Sequence, residues 1–320
     1  MKWIKSKLML RNSFRIGLGI LIIGSALFCI LPTNSGLIRS GANYTVHIMF
    51  ANLALGLFCL MINEKQLLFL SFLSCAGLCL HLKNSSNNVL KLPTKTVQEV
   101  LNIGQINIAS THEHIFETIS SIKNTDVDML SVQEITPDMA MLLKQELKSL
   151  YPHHIIVHRK KDFIGTGIFS KQPFLSVDTF YLEDIPNLSV NVKCANQDVA
   201  IISSFVYPEL SIADNPKVLA HFEKIKDYTN SKSFPTIAIG DFNQLQFSNY
   251  LKDFKRQASL NDSRRFQFFD NPTDHIFFSS HFDCVEFQTI SNRYTNHLGI
   301  KGSYQLNNTA ANVKSSNIKF

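Results

Sequence analysis

Three runs without a charged residue, 16–31, 46–62 and 67–82, fill most of the first 82 positions and constrain this part of the chain more than anything else in it. Each is near the lower end of the about 17 to 25 residues that carry an α-helix across a bilayer, and together they predict three short transmembrane helices. Buried helices of a soluble domain are the alternative. Lys2, Lys5, Lys7, Arg11 and Arg15 also suit the basic n-region of a signal peptide, but two more apolar runs follow, so cleavage would not release the rest. These five basic residues precede the first run, and only Arg39 lies in the loop after it. The positive-inside rule then places the N-terminus in the cytoplasm. An odd number of crossings puts everything after Leu82 on the opposite face, the periplasm or exterior of a bacterial inner membrane.

Charge divides the chain in the same region. Residues 1–96 hold ten Lys and Arg against Glu64 alone, giving +9, whereas residues 97–320 hold 21 basic and 24 acidic side chains, giving −3. The larger part therefore lacks the basic excess that drives non-specific duplex binding. Arg159, Lys160 and Lys161, and Arg264 with Arg265, read as surface charge that can at most steer a phosphate. The short helices carry no acidic side chain, which disfavours a transporter or channel. Of the six cysteines, Cys194 and Cys284 lie outside the apolar runs; a bridge between them would suit an oxidising compartment, but spacing does not establish one. The organisation is thus a three-helix anchor at 1–82, an Asn- and Ser-rich polar linker at 83–96, a globular domain at 97–305 and a polar tail at 306–320.

Within the globular part, β-branched and aromatic runs predict strands at 101–109, 127–132, 154–158, 166–170, 199–206, 236–239, 275–278 and 285–290. Between them, 113–122, 138–150 and 216–228 show helical spacing, with Pro137 and Asp138 as a helix start. The fold class is α/β. Polar residues collect at strand ends: Asn107, Gln133-Glu134, Gly240-Asp241-Phe242-Asn243, Asp274-His275 and Asn296-His297. Loops at the rim of a sheet are where scaffolds hold functional groups. A carboxylate such as Glu134 suits Mg²⁺, which takes one or two protein carboxylates and keeps waters. Asp241 and Asn243, two apart on extended backbone, point to one side, where one activates a water and the other orients it. Asp274 beside His297 makes a charge-stabilised imidazolium. Taken singly, Asp-Phe-Asn is a turn and Gln-Glu a solvated helix start. His112, His114, His153, His154 and His221 are read as surface or packing residues.

In order and with their intervening strands, Asn107, Gln133-Glu134, Gly165-Thr166-Gly167-Ile168-Phe169-Ser170-Lys171, Gly240-Asp241-Phe242-Asn243, Asp274-His275-Ile276-Phe277 and Asn296-His297 resemble the endonuclease/exonuclease/phosphatase, or deoxyribonuclease I-like, family over about 101–304. The anchored arrangement looks like that of bacterial membrane-bound members. The resemblance implies a four-layer α/β sandwich of two facing β-sheets, preceded here by the three transmembrane helices. It also implies a divalent-metal-dependent phosphoesterase using Mg²⁺ or Mn²⁺. It assigns metal binding to Glu134 and Asn296, phosphate or nucleophile positioning to Asn107 and Asn243, water activation to Asp241, and an Asp274-supported role at the phosphate to His297.

Two departures stand out. The family's final Ser-Asp-His is Thr295-Asn296-His297 here, so a carboxylate at the metal rim is a neutral amide. The phosphate-contacting His or Tyr of the strand before Asp-Phe-Asn falls on Phe205, and a phenyl ring donates no hydrogen bond. Tyr207, two residues on, is the expected substitute as a substrate-binding hydroxyl. The partners implied are the lipid bilayer and a phosphate ester, whether nucleic acid, phospholipid headgroup or small phosphodiester. The alternative is a non-catalytic, membrane-tethered binding module that keeps the same cleft.

Overall fold

The structure is a computed structural model that describes residues 2–31, 44–85, 93–94, 99–109, 114–160, 162, 165–208, 210, 215–265 and 272–307. Most of the expected linker and the tail from residue 308, together with Arg39, His112 and Lys161, lie outside the described residues. The chain divides into two compact units, one built on the N-terminal helices and one on β-sheet.

Among the described residues three helices belong to the first unit: α1 (Lys2–Ile30), α2 (Thr45–Met61) and α3 (Lys65–Ser85). Ile22, Cys59 and Leu67 form its centre, while Ile20, Leu21, Leu27, Leu53, Leu57 and Phe69 are exposed. Arg15, midway along α1, pairs with Glu64 immediately ahead of α3, and α3 packs against both α1 and α2. Stretches Asn12–Ile30 and Lys65–Asn84 are long and apolar enough to cross a membrane. The middle helix has 17 residues, about 26 Å at 1.5 Å per residue, short of a hydrocarbon core of about 30 Å. By length, two helices rather than three meet the requirement.

The second unit holds two six-stranded mixed sheets. In the first the order is β11(Phe282–Ile290)-β12(Gly299–Leu306)-β1(Val100–Asn107)-β2(Met129–Ile135)-β4(Gly165–Ser170)-β3(His153–His158). In the second it is β5(Ser176–Leu182)-β6(Ile185–Cys194)-β7(Gln197–Phe205)-β8(Thr236–Asp241)-β10(Asp274–Ser279)-β9(Leu260–Asp262). Leu101, Ile103 and Met129 of one sheet pack against Ile201, Ile237 and Ile276 of the other. The outer face of the first sheet is covered by α4 (Ile115–Lys123) and α5 (Pro137–Leu147), through Ile106, Leu130 and Val132 against Ile119 and Leu143. The second is covered by α6 (Asn215–Asn230) and α7 (Asn249–Gln257), through Ile202 and Ala238 against Val218, Leu251 and Phe254. These are the four layers of an α/β sandwich. Cys194 and Cys284 are free thiols buried between the sheets; burial pushes them up to about 11 and about 12.

Alternation along the central strands explains where the chemistry collects. Inward positions read Leu101, Ile103, Gln105, Asn107 on β1 and Met129, Ser131, Gln133 on β2, and the facing strands give Ile201, Ser203, Phe205 on β7 and Ile237, Ile239, Asp241 on β8. The inter-sheet layer thus changes from apolar to polar toward the ends of two parallel strand pairs, β1/β2 and β7/β8. In the polar half Ser131 and Ser203 hydroxyls meet at 2.7 Å. Gln133 Nε2 donates to the Ser204 carbonyl at 2.6 Å, and its Oε1 accepts the Asp241 amide at 2.7 Å. Gly240 permits this approach: its φ is 151°, and a Cβ there would stand 1.8 Å from Ser204 O and 2.6 Å from Gln133 Nε2. Gly240→Ala is expected to cost at least about 2 kcal/mol through backbone strain and displacement of this amide, measured as a lower denaturation midpoint of the full chain.

Candidate active site

The site assembles at the ends of those four strands. Asn107 closes β1 and spans the gap between sheets: its Nδ2 donates to Glu134 Oε1 at 2.8 Å and to Asp241 Oδ2 at 3.2 Å, while its Oδ1 accepts the Ala109 amide. Glu134 reaches this point because β2 is irregular there. Gln133 pairs with Thr166 and Ile135 with Gly165, leaving Glu134 as the extra residue of a bulge, with φ of 59°. Bulges re-aim side chains in this way.

Asp241 ends β8 and is 8% exposed. Burial raises its pKa, and nearby Asp274 adds to this. Hydrogen bonds from the Asn243 amide, Thr273 and Asn107 act in the opposite direction. Asn243 follows in a left-handed turn, φ 49°, with its Nδ2 donating to Val206 O at 2.9 Å. Asp274 lies directly across the ladder from Asp241. Its two carboxylate oxygens stand 3.0 and 2.9 Å from His297 Nε2, and His297 is held in a loop where Thr295 Oγ1 caps its backbone amide. Glu134, Asp241, Asp274, Asn107, Asn243 and His297 thus form one cluster.

Asn296 is exposed and makes no hydrogen bond to these carboxylates. Tyr207 stands apart as well. Regular pairing of β7 ends at Phe205, so the two-residue alternation does not extend to Tyr207. Its amide donates to buried His221 Nδ1 at 2.9 Å, and Lys217 Nζ sits 5.1 Å from its ring centroid. A shallow depression beside Glu134 is lined by Phe205 and not by Tyr207.

Two arginines read as surface charge belong to this region. Arg264 is 1% exposed; its terminal nitrogen donates to Asp274 Oδ1 and to Asp274 O, each at 2.9 Å. It is therefore the buried counter-ion of the carboxylate that holds His297. Arg159 lines the depression beside Glu134, with its guanidinium 5.7 Å from the Phe205 ring centroid. The sequence offers one clue to each: the acidic pair Asp262 and Asp274 flanking Arg264, and the basic run at 159–161 that can steer a phosphate.

Among the described residues no three His, Cys, Asp or Glu side chains gather as a metal cage. The donors present suit a hard ion instead: Glu134 is one carboxylate beside an amide, and Mg²⁺ or Mn²⁺ completes such a set with water and phosphate oxygens.

Arg264→Ala strands a buried carboxylate and is expected to destabilise the fold by about 3 to 5 kcal/mol. Arg265→Ala, at an exposed neighbour, should stay within about 0.5 kcal/mol. Denaturant melting of the two variants side by side checks this.

The sequence profile of the endonuclease/exonuclease/phosphatase family matches residues 102–292. Comparison with curated protein sequences returned no match. Among solved structures, an endonuclease/exonuclease/phosphatase from Beutenbergia cavernae DSM 12333 is 14% identical, with a TM-score of 0.55 over 65% of this chain and 72% of that one. The human Nocturnin catalytic domain with bound sulfate is 13% identical, TM-score 0.53, over 69% of this chain and 99% of its own. ANGEL2, a 2',3'-cyclic phosphatase, is 15% identical, TM-score 0.54, over 68% and 99%. At these identities the structural likeness is one of fold. Because the family profile spans more than half of the sequence and its strand-end residues converge on one cluster, the chain belongs to the endonuclease/exonuclease/phosphatase family.

Proposed function

We propose that the protein is a membrane-anchored, divalent-metal-dependent phosphoesterase. The observation that carries this reading is the Asn107 amide held between Glu134 and Asp241, two carboxylates from opposite sheets. They have distinct surroundings: Asp241 is buried, whereas Glu134 is partly open to solvent. Family membership supports hydrolysis of a phosphate ester as the chemistry.

Asp241 takes a proton from the attacking water, which a carboxylate of raised basicity does readily. Asn107 and Asn243 fix the position of that carboxylate. The new P–O bond forms in line with the bond that breaks, and His297, held against the Asp274 carboxylate, faces the negative charge that develops on the phosphoryl oxygens. Glu134, with Asn296 offering a neutral oxygen, would hold Mg²⁺ or Mn²⁺, which when bound would supply Lewis-acid stabilisation of that charge. Small diesters and phospholipid headgroups fit the net charge of −3 better than duplex DNA. ANGEL2 is a related example of a phosphatase acting on a 2',3'-cyclic phosphate.

The full chain in detergent should hydrolyse bis(p-nitrophenyl) phosphate with Mg²⁺ or Mn²⁺ and lose at least about 10²-fold in rate in Glu134→Ala and in Asp241→Asn. Asn296→Asp should lower the metal concentration needed for half-maximal rate. A silent parent chain whose Asn296→Asp variant is active would instead mean a binding module, the reading favoured by the neutral Asn296.

The apolar exterior of α1 to α3 and the Arg15–Glu64 pair support a bundle in which the chain leaves opposite the N-terminus. Protease added to spheroplasts should therefore digest the sheet domain; digestion only after lysis would place it in the cytoplasm.

A further inference from the structure

We infer that Arg159 is the phosphate-binding cation of this site, taking non-bridging oxygens of the substrate at the wall where Phe205 offers no donor. The inference rests on the phosphoesterase reading above and adds a residue to it. The β3–β4 hairpin, with His158 opposite Gly165, delivers Arg159 to the depression that Glu134, Phe205, Thr166 and Gln133 also line. Of the residues lining it, Arg159 is the cation and Glu134 the anion; the others are neutral.

Charge makes such a residue necessary. An anionic ester entering here meets the Glu134 carboxylate, and Arg264 is already committed to Asp274 beneath the surface. Arg159 is not committed in that way. Among the described residues its one ion pair is edge-on, from Nε to Asp162 Oδ1 at 3.1 Å, with the Asp162 side chain 40% exposed. The Arg159 side chain is 17% exposed and lies over the Phe205 ring, so its orientation is set before a ligand arrives. A planar fork held this way matches two phosphate oxygens, which a lysine ammonium cannot do. Phe205 then serves as the surface on which the donor rests rather than as the donor.

The test is calorimetric titration of the full chain in detergent with inorganic phosphate in the presence of Mg²⁺, at two salt concentrations. Arg159→Gln is expected to weaken phosphate binding about 10- to 100-fold, the range of a charge-assisted hydrogen bond, and to flatten its salt dependence. Arg159→Lys keeps the charge without the fork and should fall between, with the salt dependence retained. Phosphate affinity within about twofold of the parent in Arg159→Gln overturns the inference, as does a loss in which the salt dependence is unchanged, since that pattern belongs to packing on Phe205. If those results come from a parent chain that hydrolyses the diester, the phosphoesterase reading survives. A parent chain that neither binds phosphate nor hydrolyses the diester overturns both.

Discussion

The side-chain amide of Gln133 belongs to one sheet and makes two hydrogen bonds to the backbone of the other. A fully buried amide left unsatisfied would be costly, so the two sheets have one relative position in which this group is content. That position brings Asn107 and Glu134 opposite Asp241. The hydroxyls of Ser131, Ser203 and Thr166 continue the same polar seam, and Gly240 leaves the room the seam needs. The geometry of the candidate site and the packing of the sandwich are therefore set by the same few contacts.

Three carboxylates at one end of a small domain repel one another, and the fold answers each differently. Asp274 has a buried arginine behind it and an imidazole in front. Asp241 is covered and receives several hydrogen bonds, so its basicity rises without a neutralising ion pair. Glu134 remains partly exposed and shares the Asn107 amide. Distinct environments for like groups are what the proposed division between base and metal ligand requires.

Much of this was readable from the sequence. Asn107, Asp241 and Asp274 end or begin apolar strands, and the alternation that makes Leu101 and Ile237 core residues also puts Asn107 and Asp241 on the inner face. What escaped depends on contacts made across the fold. Strand β6 opens Ile-Pro-Asn, which looks like a break, yet Asn187 is buried and accepts the Phe205 amide across the ladder. Strand β12 contains Gly299 and Gly302, both packed too tightly for a side chain. Strand β5 is largely exposed, and α7, rich in Lys, Arg and Asn, shows its apolar face only through Tyr250, Leu251 and Phe254. Arg264 reads as surface until Asp274, ten residues later, folds against it. Tyr207 fails as a simple extrapolation of Phe205 because regular pairing ends between them.

Glu134 is the site residue that periodicity would have misdirected. With Gln133 facing the opposite sheet, an unbroken β2 would turn the next side chain toward α4 and α5, among Ile119 and Leu143. The unpaired position at Glu134 reverses that. A chain one residue shorter here would make the more regular ladder, with Ile135 following Gln133 in step, and would have no carboxylate facing Asp241. In this sandwich the carboxylate that faces Asp241 is owed to a flaw in the weave, and the better sheet would be the emptier one.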